Sequence, residues 1–225
     1  MRAPSRIGLR CGLPGLALLL AVNAHASTNS TKKQAERKVG RVEMVQDAGG
    51  FTISQRVRVP DDVRADYEAA VRLLEQERYD QGIAKLLALE PRMPSIAALH
   101  INLGIAYART NDLDRAEASL RRALELNQQH PAAWNELGLV ERRKGQFAEA
   151  RASYEASLSA FADFSPAHRN LAILCDVYLG DRACAVSHYE AYSRIVPGDD
   201  QVVKWIADLR NRGSRQENAS REVSP

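Results

Sequence analysis

Side chains able to do chemistry are sparse in this chain, and their spacing excludes most reactions. The cysteines are Cys11, Cys175 and Cys184, and the histidines are His25, His100, His130, His168 and His188. No two histidines stand four residues apart and no Cys-x-x-Cys run occurs, so the ligand spacing of a metal site is missing. Glycine loops that cradle phosphate and the G-x-S-x-G turn that presents a nucleophilic serine are also missing. Carboxylates are plentiful, but they fall at the spacing of solvated helix surfaces. The sequence therefore nominates no catalytic residue, no metal and no cofactor, and the protein is expected not to be an enzyme. One covalent link is expected instead. Cys175 and Cys184 flank the turn Leu179-Gly180-Asp181 between two helical segments, with Ala172, Ala183 and Ala185 small enough for close approach, so an oxidising compartment favours a disulfide. Two buried thiols acting as small hydrophobes are the alternative.

The segments that must position these residues differ in composition. Residues 1–26 carry Arg2, Arg6 and Arg10, no acid, a short apolar run over 13–22, and Ala24 and Ala26 ahead of Ser27. Basic, greasy and small residues in that order predict a secretory signal peptide cut after Ala26. The apolar run is half the roughly 20 residues needed to cross a bilayer, so no integral membrane segment is expected after cleavage, and a periplasmic or secreted location follows. Removing the leader also removes the positive balance. The whole chain has 31 basic and 28 acidic side chains, and three of the basic ones lie in the leader. A neutral mature chain offers phosphate no general attraction, which argues against nucleic acid as a partner.

Residues 27–40 are polar without an apolar period and predict a flexible tether. Across 41–59, two short alternating runs flank Gly49-Gly50, and a β-hairpin and a linker that orders only against a neighbour are both open readings. From Asp61 long helical segments begin, and they repeat. At a spacing of 34, Ala69-Ala70, Leu103-Gly104, Leu137-Gly138 and Leu171-Ala172 fall in register. In the second half of each unit Gly82, Ala116, Ala150 and Cys184 do the same, followed four residues later by Leu86, Leu120, Tyr154 and His188. Two antiparallel helices and two tight turns consume about 34 residues, with small side chains required where backbones approach. The expectation is an all-α solenoid of about four helix-turn-helix units, 61–96, 97–130, 131–164 and 165–198. A capping helix at 199–212 presents Val202, Trp205, Ile206 and Leu209, and a disordered tail occupies 213–225.

The pattern resembles the tetratricopeptide-repeat family. The third unit matches with Trp134, Leu137, Gly138, Ala150 and Tyr154, the second with Leu103, Gly104, Tyr107, Ala116 and Ala123, and the first with Gly82 and Pro94. The fourth is the weakest, with Cys184 and His188 in the alanine and aromatic places, so its second helix is open to a one-residue slip. The resemblance implies a concave groove that binds a protein or peptide. Carried onto this chain, its lining is Tyr67, Val71 and Leu74; Ile101, Ile105 and Arg109; Asn135, Leu139, Arg142 and Arg143; Arg169, Ile173 and Asp176. Apolar rungs alternate there with guanidinium groups suited to carboxylates. The alternative for those arginines is ordinary solvation or pairing with Glu141, Glu149 or Asp176. The asparagine of the family's chaperone-tail clamp is Ile or Leu here, which disfavours that ligand.

The stretches GGFTISQRVRV, AALHINLGIAYART, AAWNELGLVERRKG and AHRNLAILCDVYLGD further resemble bacterial periplasmic repeat proteins associated with TonB–ExbB–ExbD systems. That likeness implies an accessory scaffold in an envelope complex. An assembly factor for a pilus or secretion apparatus is the rival expectation. Neither reading fixes the partner or the oligomeric state.

Overall fold

The computed structural model describes residues 21–23, 42–47, 50–56 and 60–222, with side chains described over 60–213. The leader apart from 21–23, and the tether at 27–40, lie outside the described residues. Strand β1 (Ala21–Asn23) pairs parallel with β3 (Gly50–Arg56), and β2 (Val42–Asp47) pairs antiparallel with β3, with Met44 opposite Ile53. The sheet order is β1-β3-β2. Cleavage after Ala26 would remove β1 and leave the β2–β3 hairpin.

Nine α-helices follow among the described residues. They are α1 (Asp61–Glu75), α2 (Tyr79–Leu89), α3 (Ala97–Arg109), α4 (Leu113–Leu126), α5 (Pro131–Arg143), α6 (Phe147–Ala160), α7 (Ser165–Ile173), α8 (Arg182–Ile195) and α9 (Asp200–Glu222). The chain divides into two compact units, one ending at Glu136 and the other beginning at Leu137.

Turn chemistry sets the helix pairs. Positive φ angles occur at Glu77 (58°), Asn111 (64°), Gly145 (78°) and Gly180 (64°), each just after the first helix of a pair. The carboxylate of Asp112 then accepts from the backbone N–H of Arg115, and that of Asp181 from Cys184, capping α4 and α8. The first three turn residues are 34 apart and the fourth is 35 further on.

The additional residue has a visible origin. After α7 the chain winds as a π-helical segment, Leu174–Leu179, and the Asp181 N–H closes on the Cys175 carbonyl at 2.9 Å. A π-turn accommodates one more residue than an α-turn, so everything downstream moves by one. Ala185 and Tyr189, at 0% and 2% exposure, therefore occupy the small and aromatic places that a strict period of 34 assigns to Cys184 and His188. The slip that the weak fourth unit left open originates in its first helix, and α8 itself is regular.

In the first unit α3 packs on α2 and α4. Gly104 makes the last contact close: a Cβ there would lie 2.5 Å from Leu120 Cγ and 3.2 Å from the Ala116 carbonyl oxygen. Gly104→Val should therefore overpack the pair and cost about 1–3 kcal/mol. Urea unfolding checks it, and adding Leu120→Ala should recover part of the loss because it vacates the contested space.

In the second unit Ala150, Tyr154, Leu171, Leu174, Cys175, Ala185 and Tyr189 form a core closed by Val202, Ile206 and Leu209 of α9. Asp199 caps α9 by accepting from the Val202 N–H at 3.3 Å, and Trp205 lies against Tyr189 with ring centroids 5.3 Å apart. Helix α9 continues to Glu222, past the boundary expected at 212, so residues 213–222 are helical backbone and not a disordered tail. Arg, Gln and Glu are good helix formers, and no proline intervenes before Pro225. No helix among the described residues is long and apolar enough to cross a membrane.

Candidate functional site

The thirteen positions implied as groove lining divide between the two units and differ in access. In the first unit Tyr67, Val71, Leu74, Ile101, Ile105 and Asn135 are buried, while Arg109 is exposed. Tyr67 accepts a hydrogen bond from the Asn102 side-chain amide at 2.7 Å, and burial raises its hydroxyl pKa well above the usual range. These residues are buried in the structure. A family position says where a residue sits in its helix, not how far it is covered.

In the second unit the corresponding positions are accessible. Leu139, Arg142, Arg169, Ile173 and Asp176 are half-buried and Arg143 is exposed. Helix α5 supplies Leu139, Arg142 and Arg143, α7 supplies Arg169 and Ile173, and the π-helical segment supplies Asp176. The Arg169 guanidinium stands 5.7 Å from the Trp205 ring centre, and that of Arg142 stands 5.9 Å from the Tyr178 ring. Phe147 abuts the same Tyr178 ring at 4.8 Å. Tyr189 has its pKa pushed up to about 12, chiefly by burial and next by the Asp176 carboxylate, against the pull of Arg169 and Arg142. Three charged groups thus surround one phenol.

Their pairing is unequal. Asp176 is engaged by Arg212 at 3.4 Å. Arg142 carries the unmet demand, since its Nη1 is buried with no hydrogen-bond partner among the described residues. A buried donor on a charged group costs more than an ordinary one when left unpaired, so this nitrogen suits an anionic acceptor. Beside it, Val177, Tyr178 and Leu179 project from the π-helical segment at 65%, 46% and 37% exposure. Sequence reasoning missed this apolar tip, because nothing in a period of 34 announces an inserted residue.

Cys175 and Cys184 are joined by a disulfide, with Cα atoms 5.9 Å apart. Asp181 lies beside them, its ligand oxygen and the two sulfurs within 4.8 Å of one another, but bonded sulfurs supply no thiolate to a metal. His168 and His188 meet with Nδ1 atoms 3.0 Å apart. His168 donates Nε2–H to the Ala162 carbonyl at 2.9 Å, so its Nδ1 accepts from His188. Burial holds both imidazoles below their usual pKa. The pair joins α7 to α8 as neutral packing polar groups.

Known proteins agree on the architecture. A tetratricopeptide-repeat family model matches residues 101–166. A 103-residue stretch is 36% identical to human protein O-mannosyl-transferase TMTC1, covering 44% of this chain and 12% of that protein. Among solved structures, a thermophilic repeat protein of Thermus thermophilus is 22% identical with a TM-score of 0.58, over 67% of this chain and 82% of that one. Pseudomonas aeruginosa pilF is 19% identical with a TM-score of 0.63, over 72% and 73%. Likenesses this distant speak for the fold alone. Residues 101–166 carry the sequence pattern of tetratricopeptide repeats, and the turn period and the small residues at the helix contacts extend the same helix-pair fold on either side of them.

Proposed function

We propose that this chain is a non-enzymatic interaction scaffold of the cell envelope, which holds an acidic, partly apolar segment of a partner protein against the α5–α7 face of its second unit. The observation that carries the reading is Arg142, with a buried, unpartnered Nη1 beside an exposed apolar tip. A partner carboxylate would pair with the accessible part of the half-buried Arg142 side chain, with Arg169 adding charge, while Ile173, Leu139 and Tyr178 take apolar neighbours. The envelope assignment is supported by the leader pattern in 1–26 and by a disulfide, which persists in oxidising compartments. Within the envelope, the TonB-type resemblance favours an accessory role in an energy-transducing complex. Assembly of a pilus or secretion apparatus is the alternative.

Photo-crosslinking tests this in the native envelope. With benzoylphenylalanine in place of Ile173, one dominant protein adduct is expected, mapping to an acidic segment of the partner. An inner-membrane energy transducer and an outer-membrane assembly component are distinguishable catches. Arg142→Ala removes a charge-assisted hydrogen bond of about 1.5–3 kcal/mol, and partner affinity should fall roughly 10- to 150-fold with helicity unchanged. Affinity indifferent to Arg142→Ala would remove that residue from the site.

A further inference from the structure

Helix α9 repeats the packing of α7 on one face only. At an interval of 35, the one set by the inserted residue, Ala167, Leu171 and Leu174 are succeeded by Val202, Ile206 and Leu209, and all six are buried. The face that α7 turns toward α8 carries His168, Ala172 and Cys175, the first meeting His188 and the last bonded to Cys184. Their successors in α9 are Val203, Ala207 and Arg210, and all three are exposed, Val203 by 53%. Elsewhere the small residue at the place of Ala207 is covered. Ala70, Gly104, Gly138 and Ala172 are all buried, with Gly104 against Leu120 and Gly138 against Tyr154 of the helix that follows. Helix α9 is thus the first helix of a fifth pair whose second place stands open. It continues to Glu222, past residue 215, which lies 35 beyond the turn at Gly180, so it does not fold back over that face itself.

The open place has a shape and a charge. Two hollows of about 400 and 470 Å³ lie end to end along the α8–α9 seam and share Glu190 and Arg210. The first is mainly apolar, with Val203, Ile206 and Ala207 of α9 beside Ser193 and Arg194 of α8. The second sets Ala183, Val186 and Leu209 between Arg182 and Arg210. From Val203 to Gly213 the seam runs about 15 Å, the length of a helix of about three turns. Its lining carboxylate, Glu190, is engaged by Arg210 at 2.6 Å, which leaves Arg182 and Arg194 as the charge offered to an occupant. A second copy docked symmetrically would present the same arginines to themselves. An acidic helix meets no such repulsion and complements both.

We infer that the α8–α9 seam is a docking site for an amphipathic α-helix of a partner protein, which completes the fifth pair by laying small and aliphatic residues on Val203 and Ala207 and carboxylates beside Arg194 and Arg182. The site lies at the end of the helical array, on elements other than α5 and α7. It is therefore independent of what binds near Arg142.

Two labelled, helix-stapled peptides test it against the processed full-length chain by fluorescence anisotropy. Both keep the buried stripe of α4, a complete second helix of this fold, with Ala116, Leu120, Ala123 and Leu124 in place. One carries Glu at the remaining positions and the other Lys. The acidic peptide should bind saturably and the basic one about tenfold or more weaker. Val203→Asp and Ala207→Trp, both at exposed positions, should each weaken the acidic peptide about tenfold or more with the thermal midpoint kept, and Arg194→Glu roughly tenfold. Absence of saturable binding, equal binding of the two peptides, or binding indifferent to Val203→Asp would overturn the inference. Binding that is lost in Arg142→Ala and kept in Val203→Asp would overturn it too, by moving the peptide to the α5–α7 face. A dimer in sedimentation velocity that Val203→Asp dissolves would give the seam to a second copy instead. If Ala207→Trp loses helicity, Val203→Asp and Arg194→Glu still decide.

Discussion

Tyr154→Ala should remove about 3–5 kcal/mol of stability, the penalty for deleting a large buried aromatic. A typical domain has only about 5–15 kcal/mol in total, so the change brings the second unit close to unfolding. Tyr154 is fully buried in a core with Leu171, Leu174 and Cys175. It also fills the space opposite Gly138, where a Cβ would come within 2.7 Å of the ring. The check is urea unfolding followed by circular dichroism, where a lost packing contact lowers the midpoint without changing the slope. Tyr154→Phe retains the ring and should recover most of the loss. A deficit below about 1 kcal/mol in Tyr154→Ala would mean that this position is not a central packing site.

The same residue shows why so much of the fold was legible. Tyr154, Leu120 and Leu86 are each 34 apart and all fully buried. Periodic burial is a consequence of identical helix pairs stacked by the same contacts, so it must appear in the sequence as periodic residue type. The fourth unit was harder to read because its true register is 35. Ala185 and Tyr189 keep the family chemistry, and only the inserted residue at the π-helical segment hides them from a fixed spacing. His188, released from the core by that shift, instead meets His168.

The candidate site was legible in part. Arg142, Arg169, Ile173 and Leu139 occupy accessible places on the second unit, but Tyr67, Val71, Ile101, Ile105 and Asn135 are covered. Helical periodicity reports which residues share a face. It carries no information about what else covers that face. His130 illustrates the same limit on a smaller scale. It reads as a lone histidine before Pro131, yet its Nδ1 accepts from the Ala133 N–H at 3.3 Å. Burial lowers its pKa to about 4, which keeps the ring neutral and able to cap α5.

Breaking the Cys175–Cys184 disulfide should be the next most damaging change. The two cysteines are nine residues apart in sequence, and closing so short a loop in the unfolded chain is worth about 2–3 kcal/mol by chain entropy. For a protein of this size, such a loss lowers the thermal midpoint by roughly 4–12 °C. The bond fastens the π-helical segment to the first turn of α8, so it spans the inserted residue that sets the register of Ala185 and Tyr189. Reductant should therefore lower the midpoint of the parent chain. Cys175→Ala/Cys184→Ala should begin low and respond no further. Exported protein should show the higher midpoint and protein retained in a reducing cytosol the lower one, because glutathione and thioredoxin keep thiols reduced there. If reductant left the parent midpoint unchanged while alkylation showed both thiols free, α7 and α8 would be held by packing alone. The argument from oxidising surroundings to an envelope location would then lose its structural support.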